Sequence, residues 1–395
     1  MSAVPHPAGA GAKASRPPSV WDGVVGQEQA VAVLRAASTD PAAMTHAWLI
    51  TGPPGSGRSV AARAFAAALQ CEAGGCGKCH ACTTTMAGTH ADVMIVATEK
   101  VTISIEEVRD LIGVAQRAPS QGRWRVIVLE DADRMVERTS NVLLKAIEEP
   151  PPRTVWLLCT PSPQDVVVTI RSRCRAVVLR VPPVADVAAL LVARDGVDPE
   201  VADAAARAAQ SHIGLARRLA RDPQARERRA RTLALAATIR GVGDAVAAAA
   251  ELVEVAANEA KAATDDRDAA ERSELLRVLG AAETKTLPPT LRAQVRALEE
   301  DQKRRATRAQ RDVLDRSLVD LLSLHRDVLV VQLGADVDLV NLGEQEQVRA
   351  LAATSLPEQT IRRMDAIGEA RERLAGNVAP LLAMEAMAVA LRPQG

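Results

Sequence analysis

The sequence predicts an α/β domain on a mainly parallel sheet, followed by a small helical section and a longer all-helical region. Three observations carry this. Between Trp21 and about Val181, short apolar runs alternate with segments of helical period. After Pro182 and Pro183 the strand-like runs stop and the chain turns rich in Ala, Arg and Glu. Hydrophobic residues make up 48% of the chain, yet it has no Tyr and a single Phe, Phe65; its apolar content is Ala, Val and Leu, which favours helices over sandwiches or barrels. At 395 residues the chain exceeds one ordinary core, so about two or three domains are expected.

Residues 1–20, rich in Pro, Ala and Gly with no continuous apolar stretch, read as a loose tail, neither signal peptide nor membrane anchor. The α/β domain covers 21–181, with strands expected at 47–50, 93–96, 126–129, 155–158 and 176–179. A small helical section follows over 182–225, closed by Asp222-Pro223, and a helical region runs over 226–395. Within it Leu287-Pro288-Pro289 marks a break, and 298–333 reads as one long helix with a charged start and an apolar-periodic continuation. Arg and Asp interrupt every Ala-rich run, so no membrane span is expected and the protein reads as soluble and cytoplasmic. Lys plus Arg equals Asp plus Glu at 49 each, so no net field draws the molecule to nucleic acid or an anionic membrane. With 1% aromatics it lacks the means for a base-stacking platform, and any DNA contact must be local.

After the first strand comes Gly52-Pro53-Pro54-Gly55-Ser56-Gly57-Arg58-Ser59, then a helical stretch. This is the P-loop arrangement: glycines let backbone amides wrap the phosphates of ATP or ADP at a helix N-terminus, and Ser59 sits where a hydroxyl reaches Mg²⁺. The penultimate position calls for Lys, a compact ammonium, but holds Arg58, a bulkier planar fork. The third strand delivers Glu130-Asp131 at its end, in the reverse of the usual Asp-Glu order for a Mg²⁺ and water-activating pair. Nucleotide binding is therefore expected without efficient hydrolysis, with Mg²⁺ in doubt. The plainer alternatives are a Gly-rich connection from strand to helix and a solvated strand end.

Cys71-x4-Cys76-x2-Cys79-x2-Cys82 lies in a Gly-rich stretch where Gly74, Gly75 and Gly77 allow tight turns. Four thiolates at this spacing suit a closed, structural Zn²⁺ site, with free thiols as the alternative. His80 and His90 stand in reserve as ligands, and Cys159 and Cys174 read as core residues.

Taken together, Val24-Val25-Gly26-Gln27, the run from His46 to Ser59, the four cysteines, the run Asn141 to Pro150 (NVLLKAIEEP) and Thr169-Ile170-Arg171-Ser172-Arg173-Cys174 resemble the clamp-loader branch of AAA+ proteins, over roughly the first 220 residues. The resemblance implies a AAA+ module, a helical lid over 182–225 and a helical collar over 226–395 that joins five subunits in a ring. It implies that Arg173, the arginine of Ser-Arg-Cys, acts in trans as an arginine finger on a neighbour's ATP. Motor subunits of the family also carry a lid arginine where Gly214 stands here, and a polar residue near Thr160-Pro161. The departures imply a stator, not catalytic alone: an accessory subunit of the DNA-directed DNA polymerase III holoenzyme. Its partners would be the gamma or tau and delta subunits, the beta sliding clamp, and primed DNA through the complex, with no membrane. One rival is an active gamma or tau motor with Arg58 replacing Lys. Another is a zinc-containing nucleic-acid module using Lys303-Arg304-Arg305 and Arg226, Arg228, Arg229 and Arg231, although Glu227, Glu300 and Asp301 sit in or beside those patches.

Overall fold

The computed structural model describes residues 18–98, 102–279, 289–376 and 378–393. They form two compact units that divide after Asp186.

The first unit holds five strands, β1 (Ala47–Thr51), β2 (Val93–Val96), β3 (Arg125–Leu129), β4 (Thr154–Thr160) and β5 (Arg175–Val178), in one sheet of order β2-β3-β4-β1-β5. Every pairing is parallel, with Ile50 opposite Cys159 and Leu129 opposite Leu158. β1, β3 and β4 are buried at every residue, which is why they read as unbroken apolar runs rather than alternating ones. The helices are α1 (Glu28–Thr39), α2 (Arg58–Gln70), α3 (His80–Ala87), α4 (Ile105–Ala115), α5 (Glu137–Glu148) and the short α6 (Val168–Arg171). Successive strand residues point to opposite faces. Trp48, Ile50, Val126, Val128 and Leu157 pack with Phe65 of α2 and Leu34 of α1, whereas Leu49, Ile127, Leu129, Trp156 and Leu158 meet Leu111 of α4 and Leu143 of α5. Trp48 and Phe65 meet edge to face at 5.1 Å. Cys159 is fully buried in the first layer and Cys174 packs against the second; burial pushes both thiols up to about 12.

The tail expected over 1–20 falls outside the described residues only as far as residue 17. Ser19 caps a 3₁₀ turn, Val20–Gly23, and Val20 and Trp21 are buried, so Ser19 and Val20 belong to the fold and not to a loose tail.

The second unit, 187–395, is helical. It comprises α7 (Val184–Asp195, which enters it after its first turn), α8 (Pro199–Ala208), α9 (Ile213–Arg221), α10 (Pro223–Thr238), α11 (Val242–Val278), α12 (Pro289–Leu333), α13 (Gln345–Ala353), α14 (Pro357–Ala375) and α15 (Pro380–Leu391). Its core joins Ala245, Ala249 and Leu252 of α11 to Leu314, Leu318 and Leu321 of α12, Ile367 of α14 and Met384 and Met387 of α15. The expected long helix over 298–333 starts nine residues earlier: Pro289 opens it, because proline breaks a helix interior but suits a first turn, and the charged run LEEDQ lies well inside. Leu287 and Pro288 of the expected break lie outside the described residues. Among the described residues no helix is long and apolar enough to cross a membrane.

Candidate nucleotide site and cysteine cluster

β1 ends at Thr51 and α2 begins at Arg58, so the predicted phosphate loop is a turn between a buried strand and a helix N-terminus. Gly55 and Gly57 have φ of 85° and 90°, values that favour glycine. A Cβ on Gly52 would lie 2.7 Å from the Leu179 carbonyl. The buried Gln27 holds the loop from behind. Its amide nitrogen donates to the carbonyls of Ser56 (3.3 Å) and Arg180 (2.6 Å), and its oxygen accepts the Arg180 N–H at 3.0 Å. Gly26, at φ 66°, passes so near Pro182 and Pro183 that a Cβ would come within 2.8 Å of the latter's ring. Gly26 and Gln27 thus fasten the loop to the chain leaving β5.

The three charged groups among the predicted nucleotide ligands are engaged within the chain. The Arg58 guanidinium donates to the Gly52 carbonyl, folding back onto its own loop, and burial lowers its pKa. Glu130 Oε1 accepts from Arg63 Nε at 3.0 Å and from Nη2 at 2.9 Å. Asp131 Oδ2 accepts the Thr98 N–H at 3.1 Å, and Arg134 lies 3.8 Å from its other oxygen. Beyond β4, the Pro161 carbonyl accepts the Gly52 N–H at 3.3 Å, and Thr160 turns its hydroxyl to Ser162 and Asp165. The carboxyl ends of β1 and β3 therefore bring Gly52–Ser59 and Glu130–Asp131 to one edge of the sheet, where ligands bind in open α/β sheets. Sequence reasoning missed Arg63; its only signal was its place on α2, one turn past Ser59.

Arg173 lies elsewhere, just past α6. Its guanidinium pairs with Glu148 at the end of α5 (2.6 Å) and donates to the Thr169 carbonyl (2.8 Å), with both side chains of the pair partly exposed. Gly214, in the second unit, sits in the first turn of α9, which His212 caps.

The four cysteine sulfurs lie within 4.8 Å of one another. Thiolates on one tetrahedral Zn²⁺, with bonds of about 2.3 Å, stand roughly 3.8 Å apart, so these fit the ion with little adjustment. Gly74, Gly75 and Gly77, all at positive φ, turn the chain around the cluster. The N-terminal turn clasps it: the Gly75 carbonyl accepts from Val20 N–H and the Ser19 hydroxyl, both at 3.1 Å, and the Trp21 indole donates to Gly74 at 3.3 Å. A Cβ at Gly75 would strike Val20 at 2.6 Å. The backbone amides of Lys78 and Cys79 draw the Cys76 thiol down to about 6, while burial raises that of Cys82. The cluster can hold a metal ion, and its closed set of four sulfurs leaves no position for a substrate.

A model of the family described as "DNA polymerase III, delta subunit" matches residues 26–183. Residues 26–183 are thus similar to DNA polymerase III clamp-loader subunits. Over 135 residues the chain is 40% identical to the DNA polymerase III subunit delta' of Pseudomonas aeruginosa, covering 33% of this chain and 41% of that one. It is 35% identical over 161 residues to subunit tau of Escherichia coli, covering 40% and 25% of the two chains. It is 33% identical over 179 residues to subunit gamma/tau of Mycobacterium tuberculosis, covering 44% and 31%. The chain thus spans less than half the length of each of these relatives. A solved DNA polymerase III gamma subunit-related protein of Thermotoga maritima overlays with a TM-score of 0.33 at 16% identity, over 88% of this chain and 99% of that one, too slight a likeness to bear on function.

Proposed function

We propose that the chain is a delta-prime-type stator of a cytoplasmic DNA polymerase III clamp loader, acting in replication beside the gamma or tau and delta subunits as they load the beta clamp onto primed DNA. The observation that carries this reading is the state of its own P-loop. The residue in the lysine position is turned onto the Gly52 carbonyl, and the acid at the metal position is bound by Arg63. A site whose two charged groups are engaged by its own chain is suited to hold nucleotide and poorly suited to stabilise charge on a transferring phosphoryl group. The residues Gly52, Pro53, Pro54, Gly55, Ser56, Gly57, Arg58 and Ser59 would cradle ATP or ADP. Glu130 and Asp131 would reach an accompanying Mg²⁺ only after giving up their present partners.

Arg173 is then the residue this chain gives to its neighbour. Its guanidinium, partly exposed and held by Glu148 in a pair of the kind worth little on a surface, can exchange that carboxylate for phosphate oxygens across an interface. Residues 182–225 serve as lid and 226–395 as collar. Cys71, Cys76, Cys79 and Cys82 would hold a Zn²⁺ that braces the fold and takes no part in chemistry.

The test is ATP hydrolysis by the chain alone and in a loader reconstituted with gamma or tau, delta, clamp and primed DNA. The expected result is silence alone, turnover in the complex, and a loss of roughly 10³-fold with Arg173→Ala, the scale of an arginine finger. The identities with tau and gamma/tau favour a second reading, a motor subunit. Turnover by the isolated chain, abolished by Arg58→Ala or Glu130→Gln, would establish that one instead.

A further inference from the structure

In the second unit, α9, α10, α11 and α12 enclose a recess of about 50 Å³. Three guanidiniums, one each from α9, α10 and α12, converge in it on one carboxylate. Glu259 Oε1 accepts from Arg218 and, at 3.1 Å, from Arg316, while Arg228 Nε stands 3.0 Å from Oε2. Glu259 is largely buried, and Leu219, Val255 and Val313 supply apolar wall. Arg218 also borders a wider, open hollow of about 370 Å³ along α9, shared with Gly214, Arg217, Arg221 and Asp222.

Six arginines but only three carboxylates line the two hollows. Arg229 is matched by Asp320 at 2.8 Å, Arg228 also reaches Asp222 at 3.1 Å, and Arg217 is met by Asp195 at 2.8 Å. Positive charge remains in excess at the recess itself, where one carboxylate faces three forks of N–H donors, more than its two oxygens can use. The Arg228 Nε is buried without forming a hydrogen bond despite its nearness to Glu259. A recess of this volume takes about four waters or one small tetrahedral oxyanion, and convergent guanidiniums are the groups that recognise phosphate.

We propose that this recess is a second phosphate site, separate from the P-loop, in which Arg218, Arg228 and Arg316 bind the oxyanion and Glu259 holds the three guanidiniums in place while it is empty. The ligand class is free phosphate or the terminal phosphate of a nucleotide.

The experiment is calorimetric titration of the full chain with inorganic phosphate at constant ionic strength, run also on Arg316→Gln, Glu259→Gln and Gly57→Ala. Arg316→Gln leaves Glu259 two partners, so the fold is kept, and phosphate should bind about tenfold more weakly. Glu259→Gln removes a like charge and should tighten binding several-fold. Gly57→Ala, strained at φ 90°, disables the P-loop and should leave this binding unchanged. Competition by ATP assigns the site to a nucleotide phosphate, and its absence to the free ion; either upholds the site. Absence of binding at millimolar phosphate, its loss in Gly57→Ala, or weakening by Glu259→Gln as large as that by Arg316→Gln would overturn the proposal.

Discussion

At the scale of single residues the chain places charge where the backbone needs it. Asp92, whose side chain is fully buried, accepts the backbone N–H groups of Ser120 (2.7 Å), Gln121 (2.7 Å) and Gly122 (2.6 Å) and pairs with Arg125 at 3.0 Å. Burial alone would raise its pKa, but the donors from Ser120, Gly122 and Gln121 outweigh it and hold the carboxyl at about 2, against 3.8 for the free group. Because the folded value is depressed, the stabilisation is fully present above the unfolded pKa and is lost as pH falls towards the folded one. The expected contribution is ~2 kcal/mol, and it should fade between about pH 4 and pH 2. Urea unfolding of Asp92→Asn at pH 7 should show at least this loss, with less acid sensitivity than the parent over that window; equal acid sensitivity would contradict the assignment. None of this was legible in the sequence, where Asp92 is one acid among 49 acidic residues and its partners lie some thirty positions away. The pairing of Arg63 with Glu130 was hidden for the same reason: 67 residues separate them, and only the sheet order brings them together.

At the scale of elements, legibility followed period and spacing. All five strands were readable as short apolar runs bounded by turn residues, the pattern that full burial explains for β1, β3 and β4, and their ends moved by only a residue or two. The cysteine cluster was readable because ligands on tight turns must be close in sequence. The start of α12 was not, since proline signals both the break and the first turn. Two predictions belong to these elements. If zinc braces the loop carrying Cys71 to Cys82, a strong chelator should release one equivalent of metal per chain and expose backbone amides of residues 71–88 to hydrogen exchange; no bound metal after purification in zinc-containing medium would refute this. The second concerns α11 and α12, which run antiparallel. Near their start and end they share the apolar core, but farther out the contacts turn ionic, as where Arg305 joins Asp268 (2.8 Å) and Glu271, and Arg272 meets Glu299 at 3.1 Å. Ion pairs of this kind stabilise weakly, so amides of residues 262–278 should exchange faster than those of 245–256, and Arg305→Ala should widen the gap.

At the scale of the whole molecule, the balanced charge and the change from a strand-bearing to an all-helical chain were legible, because composition and the loss of strand-like runs need no long-range contacts. The convergence of Arg218, Arg228 and Arg316 on Glu259 was not, since it takes four helices to assemble it. The same separation has an optical consequence. Trp21, Trp48, Trp124 and Trp156 all belong to the first unit, and the chain has no Tyr, so ultraviolet emission reports on that unit alone. Circular dichroism at 222 nm is dominated by the helices of the second. Denaturant titrations followed by the two signals should give separate midpoints wherever the units unfold independently, and coincident ones if they melt together. The absence of tyrosine thus makes each half of the molecule visible by its own light, with no label added.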